Sequence, residues 1–314
     1  MNISLKTTLG NIDLDSCIYN ASGCYCTQNL ELMELDESNA CAVLSKSCTL
    51  NFRKGNDHPR YYENELGSIN STGLANNGYE FYRDIDRFIN KPYIISISSM
   101  DINNLVHMLN DYSTYSSYYP QQKLVEINVS CPNIAGMKQL AYDSSQLIML
   151  LNKIKPFMNK LQIGLKLPPY FDPNNLKEIS DVLLMYDIKF ITCSNSLGNG
   201  LIIDPVTLKP TIVPKDGLGG IGGDYCKPSS LSNVYQFYKI LKGKIDIVGC
   251  GGIKSGQDVI EYIAAGATSV QIGTHLLKVG TKCFDIINNE IKEILYDRGI
   301  NDIMELKGVA HHIL

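Results

Sequence analysis

Glu126-Ile-Asn-Val-Ser-Cys-Pro-Asn133 is the stretch from which the fold can be read. From Val125 to Ser130, β-branched and polar residues alternate as in a short strand, and Pro132 then removes a backbone donor and ends the ladder. The thiol of Cys131 therefore sits at the C-terminal end of a strand, flanked by the carboxamides of Asn128 and Asn133. Each carboxamide offers two donors and an acceptor, which suits a planar ligand with amide edges.

Seven further apolar segments end in polar residues or glycine in the same way: Cys17 to Asn20, Ala42 to Ser45, Tyr93 to Ser98, Gln162 to Lys166, Lys189 to Cys193, Asp246 to Gly249 and Ser269 to Ile272. Between most of them the apolar spacing is helical, as at Leu147, Ile148, Leu150, Leu151, Ile154 and Phe157 within Ser144 to Met158. Eight alternations of strand and helix predict a (β/α)8 barrel, with a doubly wound open sheet as the competing architecture. Ile3 to Thr8 and Ile12 to Asp15, around Gly10-Asn11, predict an N-terminal hairpin. The chain exceeds the roughly 250 residues of a plain barrel. Phe52 to Gly78 and Leu201 to Tyr225 read as inserted, β-rich loops over the C-terminal mouth, and residues 1–314 as one domain.

In a barrel the strand ends share one mouth. Here they supply Asn20-Ala-Ser-Gly23, Ser45-Lys-Ser47, Asn128 to Cys131, Lys166, Cys193-Ser-Asn-Ser196, Gly249-Cys-Gly-Gly252 and Gly273-Thr274. Packing alone does not call for lysines there; Lys46 and Lys166 need an anion to offset desolvation. The glycines after the seventh and eighth strands, each followed by a helix, form a phosphate-binding pattern. Asn70 adds a carboxamide on a glycine-bounded loop, and Ser96 and Ser98 read as space-filling residues.

Composition narrows the partners. With 44% hydrophobic and 19% charged residues and a net charge of −4, the chain has no basic run to favour nucleic acid or an anionic membrane. No stretch approaches the roughly 20 apolar residues of a span, and the N-terminus lacks a signal pattern, so a cytoplasmic location is expected. Ten cysteines are scattered without a Cys-x-x-Cys pair, so reduced thiols and no metal site are expected.

Seven motifs in order resemble the soluble class 1A dihydroorotate dehydrogenases: Asn20 to Gly23, Ser45 to Ser47, Gly67-Ser-Ile-Asn-Ser-Thr-Gly-Leu74, Asn128 to Asn133, Lys166-Leu-Pro-Pro-Tyr-Phe-Asp172, Asn195-Ser-Leu-Gly-Asn-Gly200 and Gly219-Gly-Ile-Gly-Gly223. The resemblance implies FMN, held by Ala21, Ser22, Lys46, Ser47, Asn128, Lys166 and Asn195. The glycines at 222, 223, 251, 252 and 273, with Thr274, complete that set. It implies dihydroorotate or orotate at Lys46, Asn70, Gly73, Leu74, Asn128, Asn133, Asn195 and Ser196. Cys131 matches the family's base, with Lys46 and Lys166 as the catalytic cations, and a homodimer passing electrons to fumarate, which leaves as succinate, is implied as well.

Three departures stand out: Thr72 in place of methionine, Ser194 in place of valine, and Met137-Lys138 in place of Lys-Pro. Three other readings remain. One is a class 1B catalytic subunit reaching NAD through a separate partner. The others are a non-flavin phosphate-binding barrel enzyme and a catalytically silent ligand-binding barrel.

Overall fold

The computed structural model describes residues 3–118, 124–130 and 140–312. The chain opens with β1 (Thr7–Leu9) and β2 (Ile12–Leu14), followed by β3 (Ile18–Asn20), α1 (Asn29–Glu37), β4 (Val43–Leu44), β5 (Tyr61–Glu63), β6 (Gly67–Asn70), α2 (Tyr79–Ile85) and β7 (Tyr93–Ile97). The middle carries α3 (Ile102–Tyr118), β8 (Leu124–Asn128), α4 (Ser144–Ile154), β9 (Gln162–Lys166), α5 (Pro173–Leu183), β10 (Phe190–Cys193), β11 (Leu197–Leu201) and β12 (Leu218–Gly223). The last part adds α6 (Lys227–Leu241), β13 (Asp246–Cys250), α7 (Gly256–Ala264), β14 (Ser269–Ile272), α8 (Thr274–Val279) and α9 (Cys283–Asp297).

β1 and β2 pair antiparallel as the expected hairpin. All eight expected barrel strands form, in the order β3-β14-β13-β10-β9-β8-β7-β4. Every neighbouring pair in that sheet is parallel. The order runs once around the chain sequence without reversing, which excludes the doubly wound alternative. Between β3 and β4 the ring closes through a side chain: Asn20 Nδ2 donates to the Leu44 carbonyl at 2.7 Å and Asn20 Oδ1 accepts from Leu44 N–H at 2.9 Å. The carboxamide thereby stands in for a ladder rung. Asn20, expected at the open mouth, is fully buried for this reason.

The strands are buried on both faces, as parallel strands covered by helices must be. Apolar residues on the helices, such as Leu147, Leu150, Leu151 and Ile154 of α4, fill the space outside the barrel. Inside it, a side chain on Gly164 would lie 2.3 Å from the Phe190 ring, so that glycine makes room for an aromatic plug. Toward the mouth the interior turns polar, with Glu126, Thr192, Gln271 and Lys166.

The two inserted stretches do not stay separate loops. They pair into one antiparallel sheet of order β11-β12-β6-β5, in which Gly220 faces Asn70 and Gly222 faces Ser68. β11 begins at Leu197, earlier than the expected insertion, because Gly200 lets the backbone lie against Ile221, where a Cβ would meet Cγ1 at 2.1 Å. Hydrogen bonds from Lys278 Nζ to the carbonyls of Asn64 and Glu65 tie this sheet to α8. Among the described residues, no helix is long and apolar enough to cross a membrane.

Candidate functional site

The strand ends and the inserted sheet enclose a cleft of about 1320 Å³, counting its open mouth. Ala21, Ser22, Lys46 and Ser47 reach it from β3 and β4, Asn128 and Lys166 from β8 and β9, and Asn195 and Ser196 from the turn after β10. The inserted segments contribute Asn70, Leu74, Gly222 and Gly223, while Gly251, Gly252, Gly273 and Thr274 follow β13 and β14. Gly73 does not line the cleft; a Cβ there would lie 2.3 Å from Asn56 Oδ1, so its place is against that side chain, at a backbone φ of 66°. Cys131, Asn133 and Met137-Lys138 lie outside the described residues.

One end of the cleft is built from side chains that orient each other. Ser47 Oγ lies 3.0 Å from Ser22 Oγ and 2.9 Å from Ser96 Oγ, and it accepts from Asn128 Nδ2 at 3.3 Å. Asn128 Oδ1 accepts from the Ser130 N–H and hydroxyl, each at 3.1 Å. Asn195 Nδ2 in turn donates to Ser130 Oγ at 2.9 Å, and its Oδ1 accepts from Ser196 N–H at 2.8 Å. The two carboxamides are thus fixed in rotation by their neighbours, which is what planar recognition requires. Ser96 and Ser98 do more than fill space, since Ser96 anchors Ser47 and Ser98 Oγ donates to the Asn128 carbonyl at 3.4 Å.

Both lysines are buried at this end. Lys46 Nζ lies over the turn at Gly23, where a Cβ would come within 3.2 Å of it. Lys166 Nζ donates to Gln271 Oε1 at 3.1 Å and approaches Cys250 Sγ at 3.9 Å. Burial alone would lower the Lys166 pKa, but the neighbouring Cys250 and Glu126 more than offset it, and the ammonium is held above its ordinary value. Burial pushes the Cys24 thiol, which also lines the cleft, up to about 11, so it is uncharged at neutral pH.

The other end is built from backbone. A Cβ on Gly222 would sit 3.0 Å from Thr274 Oγ1 and 3.1 Å from Ser68 Oγ. Gly252, at φ 65°, has the Gly223 carbonyl 2.9 Å from where its Cβ would be. Only glycine fits at these two positions without displacing a neighbour. The sequence pattern counted the start of α7 toward an anion site, and that expectation fails. A capping box closes it: Asp258 Oδ2 accepts from Lys254 N–H at 3.0 Å and Ser255 N–H at 2.9 Å, while Glu290 Oε2 takes Gly256 N–H at 2.6 Å. The glycine pairs and Thr274 are left as the anion-facing wall, beside the side chains of Lys254, His275 and Lys278.

Sequence reasoning missed Ser68, whose hydroxyl meets Thr274 Oγ1 at 3.1 Å and joins the inserted sheet to the end of β14. Its position two residues before Asn70 in one strand was the available signal. Tyr61, Glu65 and Leu66 were also missed, because their approach depends on a sheet assembled across some 150 residues of chain. Of the departures, Thr72 lines the cleft, and Ser194 Oγ is satisfied by Ser230 Oγ at 2.9 Å. The nine described cysteines are all free thiols.

A family profile described as dihydroorotate dehydrogenase matches residues 4–295. A Streptococcus agalactiae serotype Ia protein, provisionally named dihydroorotate dehydrogenase A (fumarate), is 40% identical over 316 residues, covering 99% of this chain and 100% of that one. A Streptococcus pyogenes serotype M3 protein with the same provisional name is 40% identical, with 98% of each chain covered. Among solved structures, ligand-free DHODH from Eimeria tenella superposes with a TM-score of 0.81 at 19% identity, over 98% of this chain and 92% of that one. At that identity the likeness speaks to the fold, and it is the same barrel.

Proposed function

The chain belongs to the dihydroorotate dehydrogenase family, and we propose that it works as a class 1A enzyme with FMN as cofactor, as one domain and as a cytoplasmic homodimer. It oxidises (S)-dihydroorotate to orotate with fumarate as the electron acceptor, a step of pyrimidine synthesis.

The donor set fits this cofactor. A cradle in which glycines leave no space for a side chain suits a phosphate, and two buried ammonium groups with fixed carboxamides suit a ring carrying amide edges. Ala21, Ser22, Lys46, Ser47, Asn128, Lys166 and Asn195 would hold the ring and ribityl chain. Gly222, Gly223, Gly251, Gly252, Gly273 and Thr274 would take the phosphate end. When bound, the flavin supplies the acceptor for the hydride from C6 of dihydroorotate.

The remaining work falls to the chain itself. Asn70, Asn128, Asn133 and Asn195, with Ser196, would hold the pyrimidine edge, and Lys46 would pair with its negative charge. Gly73 would act only by setting the backbone turn that carries Leu74 to the cleft wall. Cys131 would take the proton from C5. Its activation follows from ordinary thiol chemistry, since the thiolate is the base and grows with pH. The inserted sheet would exclude water from the reacting atoms.

The observation that carries this reading is the convergence of Lys46, Asn128, Lys166 and Asn195 on one cleft beside the glycine cradle. Purified protein should contain one non-covalent FMN per chain, released by denaturation and counted by absorbance. A folded, colourless preparation that takes up no added FMN would refute it.

A further inference from the structure

Below the cleft, inside the barrel, a chain of polar side chains is left without a task by the reading above. Glu126 is fully enclosed. Its Oε2 accepts from Gln271 Nε2 at 2.7 Å and from Thr192 Oγ1 at 2.7 Å, whereas Oε1 has no partner among the described residues. Gln271, itself buried, presents its opposite end to Lys166 at 3.1 Å. A primary amide has one accepting and one donating end. With the donating end committed to Glu126, the accepting end faces the ammonium, and the three side chains can be oriented only together.

We propose that Glu126 is a positioning residue: acting through Gln271, it aims Lys166 into the cleft and keeps it protonated, so the cation beside the flavin is set from within the barrel. This rests on the flavin reading above. A buried carboxylate with an unused oxygen is costly to keep, and packing the barrel interior does not require one. Its separation from the lysine by a single amide gives it a use.

Other titratable groups also surround Lys166. They are Tyr19 on β3, Cys24 and Cys26 in the turn that follows, Lys46 at the end of β4 and Cys250 on β13. Burial pushes the Cys24 thiol up to about 11, the Cys26 thiol up to about 12, and the Cys250 thiol and Tyr19 phenol above their usual ranges. Cys250 on β13 and Glu126 both favour the charged lysine; Cys250 touches it directly at 3.9 Å, whereas Glu126 reaches it through Gln271.

The test is the FMN dissociation constant, measured on the full chain by flavin fluorescence from pH 7 to 9.5. Wild type should vary less than about twofold, because Lys166 stays charged. Glu126→Gln and Gln271→Leu should each lose about tenfold in affinity as pH rises across that range, the effect of moving the lysine pKa about one unit into it. Lys166→Met should bind weakly at every pH with a flat profile, and adding Glu126→Gln to it should change nothing further. Flat profiles in Glu126→Gln and Gln271→Leu, even with lowered melting temperatures, would reduce Glu126 to a structural part and overturn the proposal. If Glu126→Gln does not fold, Gln271→Leu and the wild-type profile decide. Wild type that binds no FMN at any pH would refute the flavin reading, which is a separate result.

Discussion

The two ends of the cleft recognise by different means. At the cradle end, selectivity is steric: the backbones of Gly222, Gly223 and Gly252 come so close that a single methyl group would meet an oxygen at about 3 Å or less. At the ring end it is orientational and electrostatic, with Ser22, Ser47, Ser96, Asn128, Ser130 and Asn195 joined by hydrogen bonds and two buried ammonium groups among them. A cradle of backbone cannot lose one donor to a point mutation but is blocked by an added carbon. A side-chain network is indifferent to small volume changes and sensitive to each lost polar atom. The cradle should therefore fail in affinity and the carboxamide network in rate, while the buried lysines bear on affinity as well.

The largest effect belongs to the chemical step. Replacing Cys131 with alanine should leave FMN bound and slow flavin reduction by dihydroorotate by roughly 10²- to 10⁴-fold, read by stopped flow. In wild type that rate should climb with pH toward the thiol pKa of about 8.5. Near-normal reduction in the alanine variant would remove Cys131 as the base. Gly222→Ala should show the converse. Its methyl would press on Thr274 Oγ1 at 3.0 Å and Ser68 Oγ at 3.1 Å. FMN affinity should fall about tenfold, a cost near 1.4 kcal/mol, with the reduction rate at saturating FMN close to wild type.

Ser96→Ala sharpens the comparison on a smaller scale. Ser96 is buried and its hydroxyl meets Ser47 Oγ at 2.9 Å, so its loss should cost about 1 kcal/mol of stability and lower the melting temperature by about 2–4 °C. Asn128 should remain oriented by Ser130, and the reduction rate should fall less than threefold by the same logic of partial redundancy.

Asp86, away from the cleft, provides a control region. It is buried, accepts from the Tyr112 hydroxyl at 3.0 Å and has an unpartnered second oxygen among the described residues. Burial pushes its carboxyl up to about 7, against the pull of the Tyr112 hydrogen bond. Its pKa in the unfolded chain is about 3.9, so between those values the native state binds more protons and stability falls as pH rises. Asp86→Asn should flatten the change in urea midpoint between pH 5 and pH 8 while leaving FMN affinity unaltered. A changed FMN affinity would show that the cleft and this region are not independent.

Much of this architecture is legible in the sequence, for an identifiable reason. Each barrel strand is a local apolar run that ends in a polar or glycine residue, so strand positions and the residues at the mouth follow from neighbours in the chain. What stays hidden depends on partners distant in sequence. Asn20 has the same residue type as a ligand-binding carboxamide, and only its position opposite Leu44 makes it a closing rung of the barrel. Ser96 looks like a filler until Ser47 lies beside it. The Gly-rich start of α7 resembles an anion site until Asp258 and Glu290 fold back over it. The inserted sheet is the extreme case: both stretches read as β-rich, but their pairing into one sheet joins residues some 150 positions apart.

The most direct test of the account is an anaerobic titration of the purified, FMN-loaded protein followed by its visible spectrum. Dihydroorotate alone should bleach the flavin band, and fumarate added afterwards, with no second protein, should restore it fully. A flavin that dihydroorotate does not bleach, or that returns only with NAD and a partner subunit, would contradict the assignment.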